Sequence, residues 1–224
     1  MKRIEVVQSI LEANDSIAAR NQRLLDENEV FAINIMSAPG AGKTSLLLQT
    51  VAHLRNGLHI GVIEGDVAST LDSERVRDEV TAVVQITTQH MSESCALIAT
   101  MVDSALKRLP LGDIDLLLIE NVGNLICPSE FALGEHRKVV ISSLPEGDDK
   151  PIKYPIIFAD ADAVVINKLD LLPYVDFDIP SFQNSIRGLN PKVKFFQVSC
   201  KSGAGIEDWC AWLLQEMEDH RQKA

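Results

Sequence analysis

An α/β fold, with a mostly parallel sheet covered by helices on both faces, is what this sequence predicts, and three observations predict it. Short apolar runs alternate with longer helix-patterned stretches along most of the chain. Several of those runs are apolar throughout, as in VFAINIM (30–36) and DLLLIE (115–120), the pattern of strands buried on both faces. A glycine-rich turn joins the first such strand to the next helix.

The elements follow in order. Residues 3–28 contain neither Gly nor Pro, and Ile10/Leu11, Ile17/Ala18 and Leu24/Leu25 recur on one helical face. This predicts an N-terminal helical extension over 1–28, ahead of a single domain at 29–224. Strands are expected at Val30–Met36, His59–Ile63, Ala82–Ile86, Asp115–Glu120, Val139–Leu144, Ala163–Asn167 and Val193–Val198. Helices are expected from about Lys43, over Ser69–Glu79 and Glu93–Arg108, near Phe182–Gly188, and from Ile206. PEGDDKPIKYP (145–155), rich in proline and charge, reads as an irregular loop.

Composition narrows the function. The net charge of −11 excludes a broad nucleic-acid surface, which needs clustered Lys and Arg. It leaves room for one local phosphate pocket. No apolar run approaches the roughly 18 residues of a membrane span, and a signal-peptide pattern is missing, so a cytoplasmic protein is expected. Cys95, Cys127, Cys200 and Cys210 are too few and scattered for a disulfide framework, and read as reduced thiols.

SAPGAGKTS (37–45) lies between a strand and a helix. A polyphosphate needs converging backbone N–H groups, a cation and a helix N-terminus. Gly40, Ala41 and Gly42 supply the curl, Lys43 the cation, Thr44 a hydroxyl for Mg²⁺, and Ser45 the first helical turn. The usual pattern opens on glycine, and Ser37 holds that place here. The loop makes the fold a P-loop NTPase.

NKLD (167–170) follows a late strand. Guanine offers two adjacent donors, N1–H and the exocyclic amine, that match one carboxylate. Asp170 fits that role, Asn167 the O6/N7 edge, and Lys168 the ring face. SCKSG (199–203) follows another strand, so Ser199, Cys200 and Lys201 are expected beside the base. Together these favour GTP/GDP over ATP, against a small-molecule kinase. Asp66 and Asp72, in GDVASTLDSER (65–75), are candidates for Mg²⁺ or the attacking water. In ENVGNLICP (120–128), Glu120 is expected to hold the Mg²⁺ water shell and the Gly123 N–H to meet the γ-phosphate.

From about Val30 onward the sequence resembles the HypB family of hydrogenase maturation GTPases. The resemblance rests on SAPGAGKTS, IEGDVASTLDSER, ENVGNLICP, the EGDD at 146–149, and VINKLD. The sister family UreG, which serves urease, shares the phosphate loop but differs at ENVGNLICP. The resemblance implies a slow GTPase of the SIMIBI class that forms a GTP-dependent homodimer. It also implies Ni²⁺ transfer to a hydrogenase large subunit with a HypA-like chaperone. A Ni²⁺ or Zn²⁺ site at the dimer interface carries over to Cys95 and Cys127. Ala96 stands where the family has histidine, which makes His90 the candidate nitrogen ligand. Arg75, Arg77 and Lys153 are candidates for a charge-stabilising group. A urease-type accessory GTPase, or a metal store in which nucleotide is only structural, are the competing readings. The absence of Cys and His from residues 1–28 counts against storage.

Overall fold

A computed structural model describes residues 6–65, 79–87 and 95–223. Among the described residues seven strands form one sheet: β1 (Phe31–Ser37), β2 (Ile60–Glu64), β3 (Ala82–Gln85), β4 (Leu116–Glu120), β5 (Arg137–Ser143), β6 (Ala163–Asn167) and β7 (Lys194–Gln197). Their order is β3-β2-β4-β1-β5-β6-β7, and every pairing is parallel. All C-terminal strand ends therefore share one edge, where open parallel sheets present their ligand sites. Among the described residues the helices are α1 (Val6–Glu27), α2 (Lys43–Leu54), α3 (Ala99–Leu106), α4 (Lys150–Lys153), α5 (Pro155–Ala159), α6 (Ile179–Leu189) and α7 (Ile206–Arg221).

The apolar strands sort their side chains by period two. Phe31, Ile33 and Ile35 pack with α2 and with Trp209 and Leu213 of α7, while Ala32 faces Leu25 and the α3 side. Trp209 donates to the Thr50 hydroxyl at 2.9 Å, so its buried indole N–H is satisfied. Among the described residues, no helix is long and apolar enough to cross a membrane.

α1 departs from a purely apolar stripe. Ile10 is 56% exposed, and two asparagines share the buried face with Ala18 and Leu25. Asn14 donates to the Ala132 carbonyl and accepts from the Ala99 N–H. Asn21 donates to the Ala99 and Leu133 carbonyls. The two amides thus satisfy backbone groups where α3 begins, and they tie α1 to the body beneath it.

Two expected elements change. The helix expected over Glu93–Arg108 runs only from Ala99 to Leu106. Leu97 donates its N–H to the Asn121 side chain and Ala99 to Asn14, so neighbouring amides hold the preceding segment extended, with Ile98 at φ −121° and ψ 160°. The loop expected at 145–155 is folded into short turns: a 3₁₀ turn at Leu144–Glu146, then α4 and α5. Pro151 and Pro155 open the latter two, because proline has no N–H to lose in a first helical turn. The helix expected at Ser69–Glu79 lies, but for Glu79, outside the described residues.

One polar cluster joins the two terminal helices. His136 lies just ahead of β5, and its ring is almost wholly buried against Phe31. Its Nδ1 accepts from the Ala32 N–H at 2.8 Å, and the His136 backbone N–H donates to the Ala32 carbonyl. A ring accepting at Nδ1 carries its proton on Nε2, which faces Asp26 Oδ1 at 2.9 Å; His220 Nε2 lies 3.1 Å from the same oxygen. The three groups are close enough to surround an ion. The buried ring, however, presents a proton there and no lone pair, and the cluster is a hydrogen-bonded clasp between α1, β5 and α7.

Burial outweighs the Asp26 contact and holds the His136 pKa below its ordinary value, with His220 and Arg137 adding to the depression. The unfolded chain binds that proton near pH 6.5 while the folded chain does not. Stability contributed by the neutral ring is therefore expected to be lost as pH falls below that range. Thermal melts from pH 8 to 5 should show this decline, and His136→Gln should flatten it while lowering Tm at pH 8.

Candidate nucleotide site and the adjoining cysteine pair

The phosphate loop leaves β1 between the ends of β4 and β5. Gly40 and Gly42 have φ of +75° and +105°, in the left-handed region that favours glycine. A side chain on Gly42 would also run into the Asn167 amide. Lys43 is buried, and its Nζ donates to Ser37 Oγ at 3.2 Å. Thr44 donates its hydroxyl to Glu120 Oε1 at 2.8 Å. That hydroxyl and carboxylate are adjacent hard oxygen donors, the type Mg²⁺ takes beside phosphates.

The base side is built from the ends of β6 and β7. Asn167, the last residue of β6, donates to the Ala41 carbonyl at 2.9 Å and accepts from the Cys200 N–H at 3.3 Å. Lys168 follows with φ of +63°, a strained conformation for a side chain of this size, and its Nζ donates to the Gly40 carbonyl at 2.7 Å. Ser199 donates its hydroxyl to Asp170 Oδ1 at 2.6 Å, which fixes the carboxylate. Asn167, Lys168, Asp170 and Cys200, with Gly42, Ser45, Leu171 and Lys201, line a cavity of about 440 Å³. Burial pushes the Cys200 thiol up to about 11, so it is a neutral wall of that cavity and not a nucleophile.

Beside the phosphate loop, the strand end of β4 gathers the remaining groups. A Cβ on Gly123 would sit 3.2 Å from Pro39 and 3.3 Å from Lys43 Nζ, so the absent side chain lets this backbone lie against the phosphate loop. Asn121 was not singled out by sequence. Its carbonyl oxygen accepts from the Leu97 and Val122 N–H groups, and its amide donates to Asn34 in the buried centre of β1. The visible signal for it was Asn34, a polar residue inside an otherwise apolar strand.

Cys95 and Cys127 do come together, but as a disulfide, with Cα atoms 6.0 Å apart. This corrects the expectation of four thiols. The segment before α3 and the loop after β4 cross at the end of β4, within the range that a disulfide spans. As a bonded pair neither sulfur is a metal donor, and reduction turns them into two adjacent soft ligands. Asn124 donates to Cys127 Sγ at 3.3 Å. Cys210 is a buried thiol of α7, pushed up to about 12 by burial. Asp66, Asp72, Arg75, Arg77 and His90 lie outside the described residues. Lys153 pairs with Asp149 on α4, beside a cavity of about 240 Å³ walled by Leu125, Ile126, Tyr154 and Ile156.

The fold and this site define a P-loop nucleotide-binding protein. Residues 31–197 match the family described as "CobW/HypB/UreG, nucleotide-binding domain". The chain is 41% identical over 210 residues to the hydrogenase maturation factor HypB of Escherichia coli K12, covering 94% of this chain and 71% of that one. Its structure superposes with a TM-score of 0.86 on HypB from Archaeoglobus fulgidus, at 41% identity, over 92% of this chain and 99% of that one. The same TM-score of 0.86 relates it to HypB from Helicobacter pylori in complex with nickel, at 36% identity, over 93% and 96% of the two chains. The chain belongs to the HypB family of hydrogenase maturation factors.

Removing Asn121 should strand the Leu97 amide and the Asn34 side-chain carbonyl oxygen. Asn121→Ala is expected to cost about 2 kcal/mol in urea unfolding, the usual cost of orphaning buried hydrogen-bonding groups. Hydrogen exchange at the Leu97 amide should accelerate in parallel.

Proposed function

We propose that the protein is a GTP-hydrolysing switch for nickel delivery in [NiFe]-hydrogenase maturation. The observation that carries this reading is the Asp170 carboxylate, fixed by Ser199 in the cavity whose far end is the phosphate loop. A carboxylate in that position accepts from two adjacent donors of guanine and repels the acceptor edge of adenine. Membership of the HypB family supplies the client, since relatives bear the name hydrogenase maturation factor and one was crystallised with nickel. The domain at 29–224 is the GTPase unit and α1 an extension docked on it.

In this reading Gly40, Ala41, Gly42, Thr44 and Ser45 enclose the phosphates by backbone N–H groups, and Lys43 stabilises charge that develops on the γ-phosphate. Thr44 and Glu120, with Asp66, hold Mg²⁺, which neutralises phosphate charge when bound. Asp72 belongs to the attacking-water side. Asn167, Lys168, Asp170, Ser199, Cys200 and Lys201 surround the base. GTP brings two copies together, and Lys153 of each reaches the neighbour's nucleotide. Cys95 and Cys127, in reduced form, carry Ni²⁺ or Zn²⁺ as cargo, with His90 as a further donor. A HypA-like chaperone and the hydrogenase large subunit are the partners.

Asp170→Asn tests the base reading. It should weaken GDP binding by about a hundredfold, the loss of a charge-assisted pair of hydrogen bonds. The amide should at the same time improve binding of xanthosine diphosphate, whose ring carries a carbonyl where guanine has its amine. Equal affinity of wild type and variant for GDP, by titration calorimetry, would remove the guanine assignment.

The cargo reading makes a second prediction. Ni²⁺ and Zn²⁺ should bind tightly only after reduction with a phosphine, and Cys127→Ala should abolish that gain. Metal uptake by the oxidised protein equal to that by the reduced protein would remove the cysteine pair from the site.

A further inference from the structure

We infer that Ser37, the residue that replaces the opening glycine of the phosphate loop, is a positioning residue for the catalytic-site lysine. The inference rests on the GTPase reading above and adds to it a side chain that the loop pattern does not require.

Three observations carry it. Ser37 is the last residue of β1 and is fully buried, so its hydroxyl has no water to bond. That hydroxyl lies 2.6 Å from the Ala38 carbonyl, an acceptor only, so the proton is directed there. The oxygen therefore turns a lone pair toward Lys43 Nζ, 3.2 Å away. Ser37 is thereby locked as an acceptor for the ammonium and cannot compete with it as a donor. Glycine, which the pattern places here, has no such group.

The position of the ammonium explains what the contact does. Lys43 is buried, and its Nζ lies between Ser37 Oγ and the Gly123 backbone, where a Cβ on Gly123 would come within 3.3 Å. An ammonium has three N–H bonds in tetrahedral array. Holding one of them from the strand end limits how the ammonium can turn at the mouth of the phosphate loop. A lysine stem is otherwise flexible and loses rotamer entropy when it is fixed. The Ser37 contact contributes to ordering the lysine before nucleotide binds, which lowers the cost of fixing it when phosphate charge develops. The contribution belongs to the transition state and the triphosphate more than to GDP.

The experiment compares Ser37→Ala and Ser37→Gly with wild type, full-length and reduced, with Mg²⁺. Both substitutions remove the hydroxyl without adding bulk, and GDP affinity reports whether the loop still folds. The expected result is a kcat for GTP lowered about ten- to a hundredfold, the worth of one charge-assisted hydrogen bond. GDP affinity should stay within about twofold, since a uniform binding loss would leave kcat alone. The affinity ratio of GDP–fluoroaluminate to GDP, and of a non-hydrolysable GTP analogue to GDP, should fall in both variants. Unchanged ratios in both variants, or equal weakening of GDP and the analogues, would overturn the inference. Should wild type show no hydrolysis above buffer, the GTPase reading fails, while the analogue-to-GDP ratios still decide the role of Ser37.

Discussion

The hydrogen bond from the Asn167 amide to the Ala41 carbonyl is the contact on which the rest of the site depends. It joins the end of β6 to the crown of the phosphate loop across the intervening β5. The same side chain accepts from the Cys200 N–H, so three strand ends are referred to one amide. Gly42 must be glycine for this approach, since any Cβ there meets Asn167. A strained Lys168 follows immediately and bonds to Gly40. Fixing phosphate and base subsites to one another in this way determines the length and direction of the ligand that fits. Asn167 is therefore a structural residue of the site, whatever further contact it makes with a ligand.

Much of this was legible in sequence, for reasons that can be named. The parallel sheet announces itself because both its faces are buried, which leaves strands such as Leu116–Glu120 without polar alternation. The phosphate loop is legible because phosphate demands particular backbone chemistry at fixed spacing, and NKLD because it directly follows a late apolar strand. What was not legible depends on partners distant in sequence. Asn14, Asn21 and Asn121 look like ordinary polar residues until the backbone groups they satisfy, at Ala99, Leu133 and Leu97, are brought beside them. The shortened α3 has the same origin, because its N-terminal turn is prevented by those amides and not by its own residues. The proline-rich stretch after β5 misled in the other direction. Proline marks the start of a helical turn as often as the end of one, and only the chain path distinguishes the two.

The cysteine pair and the phosphate site are mechanically one object. Cys127 lies on the loop that begins with Glu120 and Gly123, and Cys95 on the segment that leads into Leu97. Asn121 holds Leu97 through its carbonyl oxygen and β1 through its amide. Gly65, at the end of β2, bonds its N–H to the Glu120 carbonyl and leaves no space for a Cβ against Leu97. A displacement of Gly123 against Lys43 would therefore not move Cys127 alone. The close packing of Gly65, Leu97 and Glu120 resists independent motion, and Asn121 links the two sulfur-bearing segments directly. In such an arrangement the two cysteine-bearing segments and the end of β4 form one packed unit.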